Sequence, residues 1–138
     1  MVQSLYNCIN FMLSRAQTSV QQAFRQNLND FNITPGQYMV LSCLWESPEP
    51  LSPTQIAQMA LLDTSTIVGI LDRLTYKDLL ERLPDPNDRR ALLIRLTEKG
   101  KAMRDEVLRI IQETNDQVLK NFSEEERQKL AEYLTRLA

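Results

Sequence analysis

The segment from Asp63 to Gly100, DTSTIVGILDRLTYKDLLERLPDPNDRRALLIRLTEKG, decides how this chain is read. Its first part carries Ile67, Ile70, Leu71 and Leu74 at helical spacing, so a helix there buries one stripe and turns Ser65, Thr66, Gly69, Asp72 and Arg73 outward. That outward face is short and polar, able to approach another surface closely. Pro84-Asp85-Pro86-Asn87-Asp88 is turn chemistry, because proline presets φ while Asn and Asp accept turn conformations. Arg89 and Arg90 come next, then the apolar run Ala91 to Leu96, and the pattern predicts a hairpin with two adjacent arginines near its tip.

Just upstream, Ser52 to Ala60 (SPTQIAQMA) predicts another helix, with Ser52 and Gln55 as a capping box and Pro53 at the first helical position. Two helices a few residues apart, followed by a hairpin, make the winged helix-turn-helix plan. Farther out, Ser4 to Asp30 predicts a long helix with Leu5, Ile9, Met12, Ala16, Val20, Ala23, Phe24 and Leu28 at helical intervals. Thr34, Pro35 and Gln37 start a second helix, stopped near Trp45 by Ser47-Pro48-Glu49-Pro50. Thr97 opens a fifth, carrying Met103, Val107, Ile110, Ile111 and Val118 to near Asn121; Ser123 and Glu126 cap a sixth, with Leu130, Leu134 and Leu137 on one face. The expected fold is all-α with a small β-hairpin wing: six helices, the terminal ones forming a dimer interface.

In these residues the chain resembles the multiple-antibiotic-resistance-regulator (MarR) family of bacterial transcription factors. The matching elements are Ile33 to Tyr38 (ITPGQY), Ser65-Thr66 with Gly69 and Asp72-Arg73-Leu74, Asp85 to Arg90 (DPNDRR), and Leu96 to Gly100 (LTEKG). The resemblance spans essentially the whole chain, and the ordered set is specific where a lone helix-turn-helix is not. Two departures stand out. Asp78 sits where the family usually has a glycine, and the turn Ala60-Leu61-Leu62-Asp63 lacks the glycine often found there, so left-handed positions would cost more here.

Composition is that of an ordinary globular chain of 138 residues. Its net charge of −2 is unevenly spread: Arg73 to Arg104 holds nine Lys/Arg against five Asp/Glu, or +4, leaving −6 elsewhere. A local cationic field is what phosphate attraction needs, since salt screens charges beyond about 8–10 Å. Met1 to Leu13 has no basic start or long apolar run, and no run approaches ~18 apolar residues, so the expectation is a cytoplasmic protein with no membrane partner. There is no histidine, no C-x-x-C spacing for Cys8 and Cys43, no glycine-rich phosphate loop and no G-x-S-x-G elbow. No enzyme, metal or cofactor is expected.

The expected organisation is a helical dimerisation layer from 1–31 and 101–138 around a DNA-binding module at 32–100. Candidate DNA contacts are Thr54, Gln55, Thr64, Ser65, Thr66, Gly69, Arg73, Lys77, Asp88, Arg89 and Arg90. Asp63, Thr64 or Ser65 can equally serve as plain helix caps, Gly69 permits close approach to DNA or to a packed neighbour, and Arg73 can pair on the surface. The resemblance implies that Asp88 orients Arg90 for a narrow minor groove, where negative potential is concentrated; a surface salt bridge is the alternative. Leu5, Ile9, Ile110, Ile111, Leu130, Leu134 and Leu137 form apolar stripes beyond the module's needs and are expected to meet a second copy, with an intramolecular three-helix layer as the alternative.

Arg15 lies beside the first helix's apolar stripe. This segment, with Thr66 to Arg73, is similar to the branch of the family that responds to aromatic carboxylates. The resemblance implies that Arg15, with Met12, Ser19, Tyr38 and Ser42, holds the ligand's carboxylate in a pocket between the dimer layer and the DNA module; a guanidinium matches a carboxylate bidentately. A salt bridge to another helix is the alternative for Arg15. Cys8 reads as a buried structural cysteine, with no Lys or Arg one turn away to lower its pKa. The reading is a homodimeric repressor on a pseudopalindromic operator, released by a small aromatic acid. The alternatives are an oxidant-responsive or ligand-independent regulator and a winged-helix protein–protein adaptor.

Overall fold

The computed structural model describes residues 4–138. Met1, Val2 and Gln3, which open the stretch read above as free of a leader, lie outside the described residues. The helices are α1 (Ile9–Leu28), α2 (Pro35–Glu46), α3 (Pro53–Ala60), α4 (Thr64–Tyr76), α5 (Glu98–Ala102), α6 (Arg104–Val118) and α7 (Glu124–Leu137); β1 (Leu80–Asp85) and β2 (Asp88–Leu96) make an antiparallel hairpin between α4 and α5. The predicted class, helical with a hairpin wing, is the observed one.

Local chemistry sets most boundaries. Capping boxes at Thr34/Gln37, Ser52/Gln55 and Ser123/Glu126 open α2, α3 and α7, with Pro35 and Pro53 where a missing N–H costs nothing. The first helix is shorter than predicted. The Ser4 hydroxyl accepts from the Tyr6 amide and caps a 3₁₀ turn at Leu5–Asn7, while Asn29–Phe31 forms another that Asn32 ends at φ 55°. Short polar side chains favour such turns over helix. Cys8, expected to be buried, is exposed at the end of the first 3₁₀ turn. The single helix predicted from Thr97 to Asn121 is two, so seven helices stand where six were expected: α5 is anchored to the hairpin through Thr97 and Gly100, Met103 carries the break at ψ −7°, and α6 ends at Val118. Strand β2 starts at Asp88, paired with Asp85 around a two-residue Pro86-Asn87 turn, so Asp88, Arg89 and Arg90 are strand positions.

Close contacts divide the chain into two units. One holds the residues up to Asn27 and Arg109–Ala138; in it the Asn27 amide donates to the Thr114 hydroxyl (2.8 Å) and to Gln117 (3.1 Å), and Thr114 is fully buried. Large apolar side chains remain exposed here: Leu5, Ile9, Met12, Tyr133, Leu134 and Leu137. The other unit, Leu28–Leu108, has its core in Val40, Leu41, Ile56, Ile67, Leu74, Leu80 and Ile94. Leu51 adds a one-residue third edge, exchanging both backbone bonds with Ile94 at 3.0 and 2.7 Å.

Two positions carry the strain foreseen for missing glycines: Leu61, between α3 and α4, has φ 54°, and Asp78, after α4, has φ 62°. The reverse constraint holds at Gly100, where a Cβ would lie 2.2 Å from the carbonyl oxygen of Leu79. Gly100→Ala should therefore cost about 1–3 kcal/mol as overpacking against backbone that cannot move aside. Leu61→Gly should raise stability by up to ~1 kcal/mol, since the left-handed strain is relieved and the side chain, 88% exposed, leaves no hole. Urea unfolding of the variants checks both signs; a neutral Gly100→Ala would contradict the packing argument.

Candidate nucleic-acid interface

Helix α4 presents its buried stripe, Ile67, Leu71 and Leu74, to the core, and Ser65, Thr66, Val68, Gly69, Asp72, Arg73 and Tyr76 to solvent. Asp63 caps the helix, its Oδ1 accepting from the Thr66 amide (2.7 Å) and the Ser65 hydroxyl (2.8 Å). These bonds, the Thr66 amide first, hold its carboxyl below the usual carboxylate range. The capping alternative is thus observed, with Asp63 as the cap. The amide and dipole end of α4 consequently carries a fixed carboxylate of its own. Thr64 is exposed, as are Thr54 and Gln55 on α3; the Gln55 side-chain oxygen accepts from the Ser52 amide. A Cβ at Gly69 would meet nothing within 4 Å, so no part of the described chain packs there.

The outward carboxylate of Asp72 is paired with Arg82 of β1 rather than with Arg73. Arg95 pairs with Glu81, Lys101 with Glu98 at 3.4 Å and Arg104 with Asp105 at 3.0 Å. Five of the nine cations between Arg73 and Arg104 have no carboxylate partner among the described residues. Two of these donate to neutral oxygens: Lys77 to the Asn32 carbonyl (2.6 Å) and to Gln37 Oε1 (2.8 Å), and Lys99 to the Lys77 carbonyl (3.2 Å). Burial lowers the Lys77 pKa, and the nearby Arg73 charge adds to the effect. Arg73, Arg89 and Arg90 are left exposed and unpaired among the described residues, on α4 and at the wing.

At the wing tip, Asp88 Oδ1 accepts from the backbone amide of Arg90 (2.9 Å), and Asp85 Oδ1 accepts from the Asn87 amide (2.9 Å). Asp88 therefore fixes the Arg90 backbone and leaves its guanidinium free. Because strand side chains alternate, Arg89 and Arg90 leave opposite faces of β2. Val68 and Tyr76, absent from the sequence reading, lie on the outward face of α4. The periodicity that located the buried stripe also placed them outside it, but their apolar character hid them among core candidates.

Met12, Arg15 and Ser19 line a cavity of about 380 Å³ with Tyr6, Phe11 and Ala16 in the first unit. The Arg15 guanidinium lies 5.9 Å from the centroid of the Tyr6 ring, which meets Phe11 edge-to-face at 5.6 Å, and has no carboxylate partner among the described residues. Tyr38 and Ser42 line a hollow of about 220 Å³ in the second unit with Met39, Cys43, Glu46 and Met59. Burial pushes the Cys43 thiol up, and Glu46 pushes it the same way, which disfavours the reactive thiolate. No described helix is long and apolar enough to cross a membrane.

Residues 33–92 match the model of the MarR family. The chain is 31% identical over 127 residues to the HTH-type transcriptional regulator PecS of Dickeya dadantii, covering 91% of this chain and 76% of that protein. Among solved structures, a probable transcriptional regulator from Pseudomonas aeruginosa is similar at 32% identity, with a TM-score of 0.92 over 98% of this chain and 100% of that one. CouR from Rhodococcus jostii RHA1, in its structure bound to p-coumaroyl-CoA, is similar at 29% identity, with a TM-score of 0.83 over 99% and 95%.

Unpaired Arg90 gives a direct test of the interface. Arg90→Ala should weaken binding to all duplex sequences alike and reduce the slope of log affinity against log salt by about 1, as expected on removing one phosphate or groove cation. Fluorescence anisotropy across a salt titration measures this. A variant that follows the wild-type line would remove the wing from the interface.

Proposed function

The chain belongs to the MarR family of transcriptional regulators, and on that premise we propose that it is a cytoplasmic repressor, binding a pseudopalindromic operator as a homodimer and released from it by a small aromatic carboxylate. Like its relatives it is a DNA-binding regulator and no enzyme. The observation that carries the operator reading is the set of exposed cations without carboxylate partners among the described residues, Arg73 on α4 and Arg89 and Arg90 on the wing, in a chain whose net charge is negative. Thr54, Gln55, Thr64, Ser65, Thr66 and Gly69 complete the proposed contact surface. Phosphate contacts position such a module, and base-edge contacts specify the sequence.

Dimerisation rests on apolar surface. Leu5, Ile9, Leu134 and Leu137 are exposed, and Ile110, Ile111 and Leu130 are half-buried, in the helices outside the winged module. A second copy of the same surface satisfies such a patch by two-fold symmetry. Light scattering at micromolar concentration should give twice the chain mass, and the Leu130→Asp, Leu134→Asp pair should give monomer or unfolded chain, since buried unpaired carboxylates are costly. Monomeric wild type would refute this part.

The effector reading is supported by Arg15. A guanidinium with no carboxylate partner among the described residues, lining a cavity with Tyr6, Phe11 and Met12, offers one charged fork and two rings, the complement of an aromatic acid. The bound ligand of CouR, p-coumaroyl-CoA, shares the aromatic acyl group of such an acid, though as a thioester rather than a free carboxylate. A benzoate-, hydroxybenzoate- or cinnamate-type acid should bind the free protein more tightly than the operator complex, and by linkage the operator should weaken the acid by the same factor. Arg15→Ala should keep operator binding and lose the response, and the matching amide should be a poor inducer. Calorimetry with these acids decides it: no binding, or equal binding to wild type and Arg15→Ala, would make Arg15 a surface cation only.

A further inference from the structure

The first two turns of α4 hold the side chains best placed to meet base edges if this helix enters a major groove. The Ser65 hydroxyl and the Thr66 backbone amide donate to Asp63, and Gly69 has no side chain. One turn on, Asp72 is held by Arg82. Thr64 lies at the edge of the face, nearer the core stripe. This face also offers Val68, an isopropyl group that is 48% exposed.

An apolar side chain on a DNA-facing helix has one specific partner in the major groove: the C5 methyl of thymine, the sole apolar group among the base edges there. Valine suits the role because its side chain is short and in a helix is held largely in one rotamer, so its methyls stand at a fixed depth. A short side chain needs the backbone to come close. Gly69, adjacent and open on its Cα, removes the obstacle that any other residue would place there. We propose that Val68 is a specificity-determining residue, reading the C5 methyl of one thymine in each operator half-site. This rests on the operator reading above.

The test uses the full-length protein and a duplex that it protects in footprinting of its own upstream region. Each thymine is replaced singly by deoxyuridine, which pairs identically and lacks only the methyl. For wild type, one replacement per half-site should weaken binding by about three- to tenfold, the order expected for losing one buried methyl, while the rest change little. Val68→Ala should bind the unmodified duplex more weakly by a similar factor and be indifferent to uracil at that same position. Its salt dependence should match wild type, because no charge is lost. If no uracil position matters to wild type, or if Val68→Ala stays sensitive at that position, the assignment is overturned while the operator reading stands. If wild type protects no sequence at all, the operator reading itself fails, and this assignment with it. Thermal melting of Val68→Ala confirms that the variant is folded, as expected for a half-exposed position.

Discussion

Between the α-carbon of Gly100 and the carbonyl oxygen of Leu79 there is room for a hydrogen atom and nothing larger. Around this contact the Thr97 amide donates to the same Leu79 oxygen at 3.1 Å, and the Thr97 hydroxyl donates to the Asp78 carbonyl at 2.7 Å. The Gly100 amide donates to that hydroxyl, and Trp45 Nε1 donates to the Gly100 carbonyl at 3.0 Å. Helix α4 ends and β1 begins on one side of this contact; β2 ends and α5 begins on the other. The recognition helix and the wing are thus rooted at one place, and their relative placement is set by backbone carbonyls rather than by adjustable side chains.

Electrostatics then sorts the two faces of that assembly. Carboxylates at Asp72, Glu81, Glu98 and Asp105 each take one cation, while Asp63, Asp85 and Asp88 accept from backbone amides or a hydroxyl. Acidic residues are numerous in this region, yet these are engaged locally, and three arginines are left with their fields uncompensated nearby. That is how a chain of net charge −2 carries a local surface suited to phosphate, since screening makes only the near charges count.

Much of this was legible in the sequence. Helix starts are written in capping boxes and prolines, and the hairpin in the turn residues Pro84 to Asp88 ahead of the apolar run Ala91 to Leu96, because these depend on residues a few positions apart. The break at Met103 was not legible, because the apolar period runs through it. Nor could spacing say which of the nine cations pair, since Asp72 meets Arg82 across elements while its sequence neighbour Arg73 stays free. Cys8 was read as buried because no Lys or Arg lies one helical turn away to make it reactive, but it stands exposed at the end of the 3₁₀ turn that precedes α1.

Lys77, read as a DNA contact, has its ammonium joined in the free chain to the Asn32 carbonyl and to Gln37, a buried residue in the first turn of α2. Such a link behaves as a tether on a flexible four-carbon stem: it resists separation of its ends through a desolvated cation held by neutral oxygens, yet it allows sliding. The pitch of the recognition helix is therefore not fixed by core packing alone. The end of the recognition helix is thereby tied to the Asn32–Gln37 segment by polar bonds that lie outside the hydrophobic core.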